Sequence, residues 1–170
     1  MSKFVVVIEG CDKTGKSTLA GLLAKDLGWP VVKMNQPRTP GPHVAAQECL
    51  DVLEAQKGPF IADRFHLGES VYGPIYRGTL PMDHVDMRLI ETRLQARGCL
   101  LVLMTDSVKM IIARFKALKE DFAKEGDVRD IVEKYQVEWE RSRLAKIRAR
   151  LSSTDLARTV VSLVRAEAEL

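Results

Sequence analysis

The feature that most constrains this chain is a glycine-framed octapeptide, Gly10–Ser17, with the sequence GCDKTGKS. It matches the pattern G-x-x-x-x-G-K-[ST], in which backbone N–H groups wrap a phosphate at the N-terminus of a helix. The nearly apolar run Lys3–Ile8 precedes it, and leucines at helical spacing follow over Lys16–Leu27. The sequence therefore predicts a buried strand, a phosphate-binding loop and a helix in succession, which is the context this motif requires.

The motif assigns chemistry to individual side chains. Lys16 is expected to bridge the β- and γ-phosphates of ATP, and Ser17 to place its hydroxyl on Mg²⁺. The predicted ATP-binding residues are those of the loop and of the first helical turn: Gly10, Asp12, Lys13, Thr14, Gly15, Lys16, Ser17 and Thr18.

Strand-like runs and helical periodicity alternate along all 170 residues, a pattern typical of parallel βαβ units. The predicted strands are Lys3–Ile8, Pro30–Met34, Phe60–Ala62, Cys99–Met104 and Lys146–Ser152. The predicted connections include a helix over His43–Lys57, a helix from Arg64 to about Tyr72, a loop over Gly73–Pro81 and a final helix over Ser153–Leu170. We therefore predict the α/β class: a three-layer P-loop NTPase fold with a five-stranded parallel sheet flanked by helices, plus a helical lid, in a single domain spanning residues 1–170.

The predicted lid covers approximately residues 114–128, a charged stretch after the fourth strand. A kinase must exclude water from the transferring phosphate, and a basic lid can do so. The basic residues that flank or fill it are Arg114, Lys116, Lys119, Lys124 and Arg129. Arg114 is the first candidate for a charge that acts in the transition state. Since acidic residues are interspersed, an exposed helix with solvated charges is the alternative.

Composition limits the partners of the chain. Lys plus Arg is 26 against 23 for Asp plus Glu, and this net charge of +3 is too small to argue for nucleic-acid binding. No apolar run is long enough for a signal peptide or a membrane span. Three widely spaced cysteines without metal-ligand spacing indicate reduced, buried thiols. We expect a cytoplasmic protein that acts on small molecules, with no membrane partner.

Three stretches resemble the thymidylate kinase family of deoxynucleoside monophosphate kinases. Glu9–Thr18 is similar to the phosphate-binding loop of that family, and Gln36–Gly41 (QPRTPG) is a partial echo of its Arg-Glu-Pro-Gly segment. Asp63–Phe65 together with Tyr72 resembles its Asp-Arg-Tyr motif and the tyrosine nine residues on. The resemblance implies Mg²⁺-dependent transfer from ATP to a deoxynucleoside monophosphate, with dTMP-like or broader specificity. It also implies a possible homodimer, and a phage source is compatible with so short a form.

The chain departs from that family in two places. The family has a longer helical stretch between its second and third strands, which supplies base contacts, and here only His43–Lys57 stands there. The serine five residues after the motif aspartate is Gly68 in this chain. The identity of the acceptor base therefore cannot be carried over from the resemblance.

Roles on the acceptor side follow from charge and from the resemblance. The planar guanidinium of Arg64 is expected to clamp the acceptor phosphate. By resemblance, Asp12 reaches the 3′-hydroxyl of the acceptor sugar, and Tyr72 packs against its 2′ position. Asp63, at the end of the third strand, is expected to orient Mg²⁺, with Asp106 as the runner-up. Arg38 is a further predicted ligand of the acceptor phosphate. Lys13 occupies the position where, by resemblance, some family members carry a catalytic arginine, and it is predicted to place positive charge near the transferring group.

Three alternatives remain open at this point. A deoxynucleoside kinase would need a carboxylate to activate the 5′-hydroxyl, but Met34-Asn-Gln-Pro stands where such kinases keep theirs. A non-catalytic ATP-binding or nucleic-acid-binding module would bind ATP without acceptor-dependent turnover. A kinase for a metabolite such as a sugar acid is the third alternative.

Overall fold

The computed structural model describes residues 3–34, 41–78, 82–117, 124–151 and 155–168. Within these ranges, five strands form one parallel sheet in the spatial order β2-β3-β1-β4-β5. The strands are β1 (Val5–Glu9), β2 (Val31–Lys33), β3 (Phe60–Asp63), β4 (Cys99–Met104) and β5 (Ala145–Ala149). Every residue of β1, β3 and β4 is buried, as expected for central parallel strands covered on both faces.

Helices connect the strands and cover the sheet. In the described residues these are α1 (Lys16–Leu27), α2 (Val44–Ala55), α3 (His66–Tyr72), α4 (His84–Arg97), α5 (Val108–Ala117), α6 (Val128–Arg141) and α7 (Leu156–Glu167). A π-helical turn, Gly73–Arg77, follows α3, and a 3₁₀ turn, Glu125–Asp127, precedes α6. None of the described helices is both long and apolar enough to span a bilayer.

The two faces of the sheet carry separate halves of the core. On one face, Val6 and Ile8 of β1 pack with Leu19 and Leu23 of α1 and with α7. On the other face, alternate strand residues pack with side chains of α2, α3, α4, α5 and α6. This arrangement is the predicted three-layer α/β fold with a five-stranded parallel sheet.

Most predicted elements differ from the structure only by a few residues at their ends, and two differences have an identifiable cause. The stretch Gly73–Pro81 was expected to be a loop, but Gly73–Arg77 continues the helix as a π-helical turn. Pro74 has no N–H to donate, so a regular α-helical bond cannot form there and the turn widens. The last strand covers Ala145–Ala149 rather than Lys146–Ser152, because its pairing with β4 ends where Thr105 N–H bonds to the Ala149 carbonyl.

The order of the strands locates the site. After β1 the chain forms β2 and β3, which lie on one side of β1 in the sheet. After β3 it crosses over and forms β4 and β5 on the other side of β1. In open α/β sheets, ligands bind outside the carboxyl ends of the strands at such a reversal. The carboxyl ends of β1 and β3 lie side by side, with Ile8 paired to Asp63. The phosphate-binding loop and the Asp63–Arg64 turn therefore meet at this edge.

Candidate active site

The phosphate-binding loop depends on its two framing glycines. Gly10 has a φ of 139°, and a Cβ there would lie 2.2 Å from the Met104 carbonyl oxygen at the end of β4. Gly15 has a φ of 92° at the start of α1, and a Cβ there would lie 2.8 Å from the Leu151 Cδ1 atom. The Thr14 hydroxyl donates to the Cys11 carbonyl at 2.7 Å and closes the loop on itself. No larger side chain fits at either glycine without moving its neighbours.

Lys16 is held inside the loop. Its ammonium group donates to the Cys11 carbonyl at 2.7 Å and lies 3.8 Å from Asp12 Oδ1. Burial, together with the nearby Arg64 guanidinium, lowers the pKa of Lys16 to about 8. An anionic phosphate at this position would offset both effects and keep the lysine charged.

Ser17 and Asp63 bring two oxygen ligands together at the edge of the loop. The Ser17 hydroxyl donates to Asp63 Oδ2 at 2.6 Å, and Asp63 is the last residue of β3. Oxygen atoms from hydroxyl and carboxylate groups are the ligands that Mg²⁺ prefers. The two residues predicted to hold a metal are thus neighbours, and their donor atoms suit this ion.

Arg64, Asp12 and Tyr72 form a contiguous cluster beside the loop. A guanidinium nitrogen of Arg64 bonds to Asp12 Oδ1, and the Arg64 Cζ atom lies 5.3 Å from the centre of the Tyr72 ring. The Tyr72 hydroxyl accepts the backbone N–H of Asp12 at 3.2 Å. Asp12 Oδ2 is buried and has no hydrogen-bond partner among the described residues. The cluster therefore leaves one carboxylate oxygen able to accept a hydrogen bond from a ligand.

The backbone of Arg64 is strained. Its φ is 67°, a left-handed conformation that is uncommon outside glycine and that clusters at functional sites. Burial alone would lower the pKa of the guanidinium, but the Asp12 carboxylate raises it further, so Arg64 remains charged. Arg64 directly follows β3, and its bond to Asp12 holds a positive charge at the carboxyl end of that strand.

Glu9 maintains that strained turn and was not identified from the sequence. It is fully buried, and its Oε1 atom accepts backbone N–H groups of Phe65, Leu67 and Gly68 at 2.8, 3.0 and 3.3 Å. The Tyr135 hydroxyl donates to its Oε2 atom at 3.3 Å. The carboxylate thereby fixes the start of α3 and the direction of Arg64. The sequence signal for this role is that Glu9 is an acidic residue at the end of an otherwise apolar strand.

Arg114 lies against the phosphate-binding loop from α5. Its Nη1 atom donates to the Lys13 carbonyl at 3.1 Å, and its Nη2 atom donates to Asp106 Oδ2 at 2.6 Å. Partial burial raises the pKa of Asp106, but the Ser107 N–H and the Arg114 guanidinium lower it by more. Asp106, the runner-up for orienting a metal, is thus the hydrogen-bond partner of Arg114. Lys13 has a left-handed φ of 62°, and both Lys13 and Arg114 line the cavity beside the loop.

Two cavities share a cationic wall. The P-loop cavity, about 390 Å³, is lined by loop residues together with Ser17, Thr18, Asp63 and Arg114. The second cavity, about 220 Å³, lies between α2 and α3 and includes Tyr72. Lys33 and Arg64 line both cavities, so positive charge stands at the point where they meet.

The remaining predicted residues fall partly outside the described ranges. Arg38, Lys119 and the centre of the predicted 114–128 lid (residues 118–123) lie outside them. The described end of the predicted lid contacts Tyr76, whose ring stacks on that of Tyr72 in the lining of the second cavity. The Tyr76 hydroxyl donates to Asp127 Oδ2 at 2.9 Å, and the Lys124 N–H donates to the same hydroxyl at 3.0 Å.

Comparison with known proteins identifies the fold of this chain but not its family. No family model matches it. It is 25% identical over 133 residues to an uncharacterized SPbeta prophage-derived protein of Bacillus subtilis, YorR, covering 78% of this chain and 79% of that one. The crystal structure of YorR in complex with phosphorylated GDP has a TM-score of 0.85 at 22% identity, over 98% of both chains.

More distant solved structures are P-loop kinases for different acceptors. Deoxyadenosine kinase from M. mycoides, with dCMP and a flexible dCDP bound, has a TM-score of 0.64 at 14% identity, over 95% of this chain and 99% of that one. Shikimate kinase from Acinetobacter baumannii, in complex with shikimate, has a TM-score of 0.59 at 17% identity, and the match covers 98% of this chain and 94% of that one. These likenesses show the α/β fold of such kinases.

Proposed function

We propose that this chain is an ATP- and Mg²⁺-dependent kinase that phosphorylates a deoxynucleoside monophosphate to the diphosphate. The observation that carries the proposal is the junction of the two cavities at Lys33 and Arg64. A phosphate-binding loop supplies the donor side, and a cationic wall stands where an acceptor phosphate would face it. An acceptor that is itself a phosphate suits this charge better than an uncharged hydroxyl does.

The proposed transfer needs alignment and charge neutralisation. An oxygen of the acceptor phosphate forms a bond to the γ-phosphorus of ATP, the bond to the β–γ bridging oxygen breaks, and ADP leaves. The acceptor phosphate is already anionic, so no general base is required. Arg64 holds this phosphate with its planar fork, while Lys16 holds the β- and γ-phosphates.

Two further residues are proposed to act on the transferring group. The Lys13 side chain extends from the phosphate-binding loop, and Arg114 is bonded to the backbone of the same loop. Positive charge placed there in advance stabilises charge that shifts in the transition state. Ser17 and Asp63 would hold Mg²⁺, which when bound neutralises charge on the β- and γ-phosphates.

The acceptor sugar is proposed to lie between Asp12 and Tyr72. Asp12 Oδ2, buried and without a partner in the described part of the chain, can accept a hydrogen bond from a 3′-hydroxyl. The Tyr72 ring lines the second cavity and is buried, so it leaves little room for a 2′-hydroxyl. The nucleotides in the YorR and deoxyadenosine kinase structures support a nucleotide ligand for this fold. A cytoplasmic location and a homodimer remain predictions.

A deoxynucleoside kinase is the second candidate. The deoxyadenosine kinase structure and the unpartnered oxygen of Asp12 favour it, because this carboxylate could accept the proton of a 5′-hydroxyl. In that role Asp12 would have to serve as a base while bonded to Arg64.

A screen of ADP release decides between these candidates. The purified chain is incubated with ATP and Mg²⁺ and with deoxynucleoside monophosphates, ribonucleoside monophosphates, deoxynucleosides or shikimate in turn. The proposal predicts turnover with at least one deoxynucleoside monophosphate, and its loss in Lys16→Ala with an unchanged circular dichroism spectrum. Turnover with a deoxynucleoside alone would select the second candidate. ATP binding without turnover on any acceptor would contradict both.

A further inference from the structure

The second cavity has charged groups beyond Arg64 that phosphate binding does not use. Glu48 of α2, Glu69 of α3 and Arg77 of the π-helical turn line this cavity, and none of the three lines the P-loop cavity. Lys33 and Arg64 therefore mark the phosphate end, and these three residues mark the remainder. In the proposed function, the remainder of the cavity receives the base.

Glu69 and Arg77 are bonded side by side. A guanidinium nitrogen of Arg77 contacts Glu69 Oε2, and the two side chains are 23% and 15% exposed, respectively. The Nη1 atom of Arg77 is buried and has no hydrogen-bond partner in the described residues. A half-buried ion pair contributes little net stability, because desolvation offsets the attraction. A donor and an acceptor held next to each other in a cavity are better explained by recognition of a ligand.

The other walls of the cavity suit a flat ring. They are aromatic or apolar, and they include Phe65, Tyr72, Met34 and Cys49. A planar base between such walls presents its hydrogen-bonding edge to the charged residues. Bases held in protein pockets are commonly read by this edge together with stacking.

The pattern of donors and acceptors distinguishes the bases. Guanine presents the O6 acceptor next to two donors, N1–H and the N2 amino group, so one carboxylate can accept both N–H groups while a guanidinium donates to O6. Thymine presents one donor between two carbonyls, and cytosine presents one amino group beside two acceptors. At this end of the cavity Glu48 and Glu69 supply carboxylate acceptors, and Arg77 supplies the guanidinium donor.

We propose that the second cavity selects guanine, so that dGMP is the preferred acceptor, with Glu69 accepting from the base and Arg77 donating to it. The inference rests on the proposed function and deepens it. It replaces the dTMP-like specificity implied by the family resemblance. Glu48 adds negative charge at the same end, which favours a base rich in donors.

The test compares kcat/KM for dGMP, dIMP, dAMP, dCMP and dTMP. Deoxyinosine monophosphate differs from dGMP only in lacking the N2 amino group, so it isolates the contact to Glu69 in the wild-type chain. We expect dIMP to be poorer than dGMP by roughly 5- to 150-fold, the usual discrimination of a bidentate base contact. We expect dTMP, which also offers Glu69 a single N–H donor, to be poorer than dGMP as well.

Variants add a second arm. Glu69→Gln should reduce kcat/KM for dGMP over the same range and leave the KM for ATP unchanged, whereas Glu54→Gln, an exposed residue of α2, should change neither value. Calorimetric binding of dGMP and dTMP gives a readout that does not depend on turnover. Equal use of dGMP and dIMP, or a preference for dTMP, would overturn the guanine assignment and leave the kinase proposal intact. Failure of every monophosphate to bind or react would instead refute the kinase proposal itself.

Discussion

Replacing Glu9 with glutamine should destabilise the protein and misplace Arg64. The Oε1 atom of Glu9 accepts three backbone N–H groups, with donor–acceptor distances between 2.8 and 3.3 Å. Hydrogen bonds to a charged acceptor contribute about 1.5–3 kcal/mol each, against about 0.5–1.5 kcal/mol for neutral ones. A neutral amide oxygen therefore loses about 1 kcal/mol per bond, and we expect the free energy of unfolding to fall by about 2–4 kcal/mol.

The change in stability is large enough to measure by two methods. For a chain of this length it corresponds to a decrease in Tm of about 5–15 °C. Urea unfolding followed by circular dichroism gives the free energy directly. The matched control is Glu54→Gln, at an exposed residue of α2. Its free energy of unfolding should stay within about 0.5 kcal/mol of the wild-type value. Because α3 begins at the bonds to Glu9, Glu9→Gln should also raise the KM for the acceptor at temperatures where it remains folded.

A Glu9→Gln protein with wild-type stability would refute the argument. It would mean that water or a rearranged helix start satisfies the three N–H groups equally well. Normal stability together with a raised acceptor KM would retain only the positioning role of Glu9.

Four further predictions concern the cluster around the phosphate-binding loop. ATP binding should take up a proton above about pH 8, because burial lowers the pKa of Lys16 to about 8 and the phosphates need its charged form; calorimetry in two buffers measures the uptake, and Lys16→Met should abolish it. Arg64→Ala should raise the acceptor KM by at least roughly tenfold with little change in ATP affinity, and equal weakening of both ligands would place Arg64 on the donor side. Lys13→Ala should lower kcat without changing the KM for ATP, and an unchanged kcat would leave Arg114 as the source of the charge. Tyr72→Phe should retain selectivity for deoxyribose, measured as kcat/KM for matched deoxy and ribo acceptors, whereas loss of selectivity in this variant would assign discrimination to the hydroxyl rather than the ring.

The sequence was sufficient for the phosphate-binding loop because that loop is local. A buried strand, two glycines with positive φ and an amphipathic helix follow one another in the chain, and each has a direct sequence signal. Asp63 could be placed for a related reason, since it directly follows an apolar run and parallel strands end at the same edge of the sheet. The predicted proximity of Asp63 to Ser17 is present in the structure.

The remainder of the site depends on contacts between distant parts of the chain. Glu9 bonds to residues more than fifty positions away, and a single acid at the end of a strand does not reveal its partners. Glu69 and Arg77 are eight residues apart, and a stretch predicted as a loop was in fact a π-helical turn that brings them together. The Arg114 contact with the loop required the packing of α5, which periodicity alone does not orient.

The most direct test of the account follows the transferred phosphate itself. The chain is incubated with ATP labelled at the γ-phosphate, Mg²⁺ and a deoxynucleoside monophosphate, and the labelled products are separated by chromatography. We predict that label appears in the deoxynucleoside diphosphate, that little free phosphate forms, and that Lys16→Ala abolishes the product. Label that appears only in free phosphate, or that reaches a deoxynucleoside but no monophosphate, would contradict it.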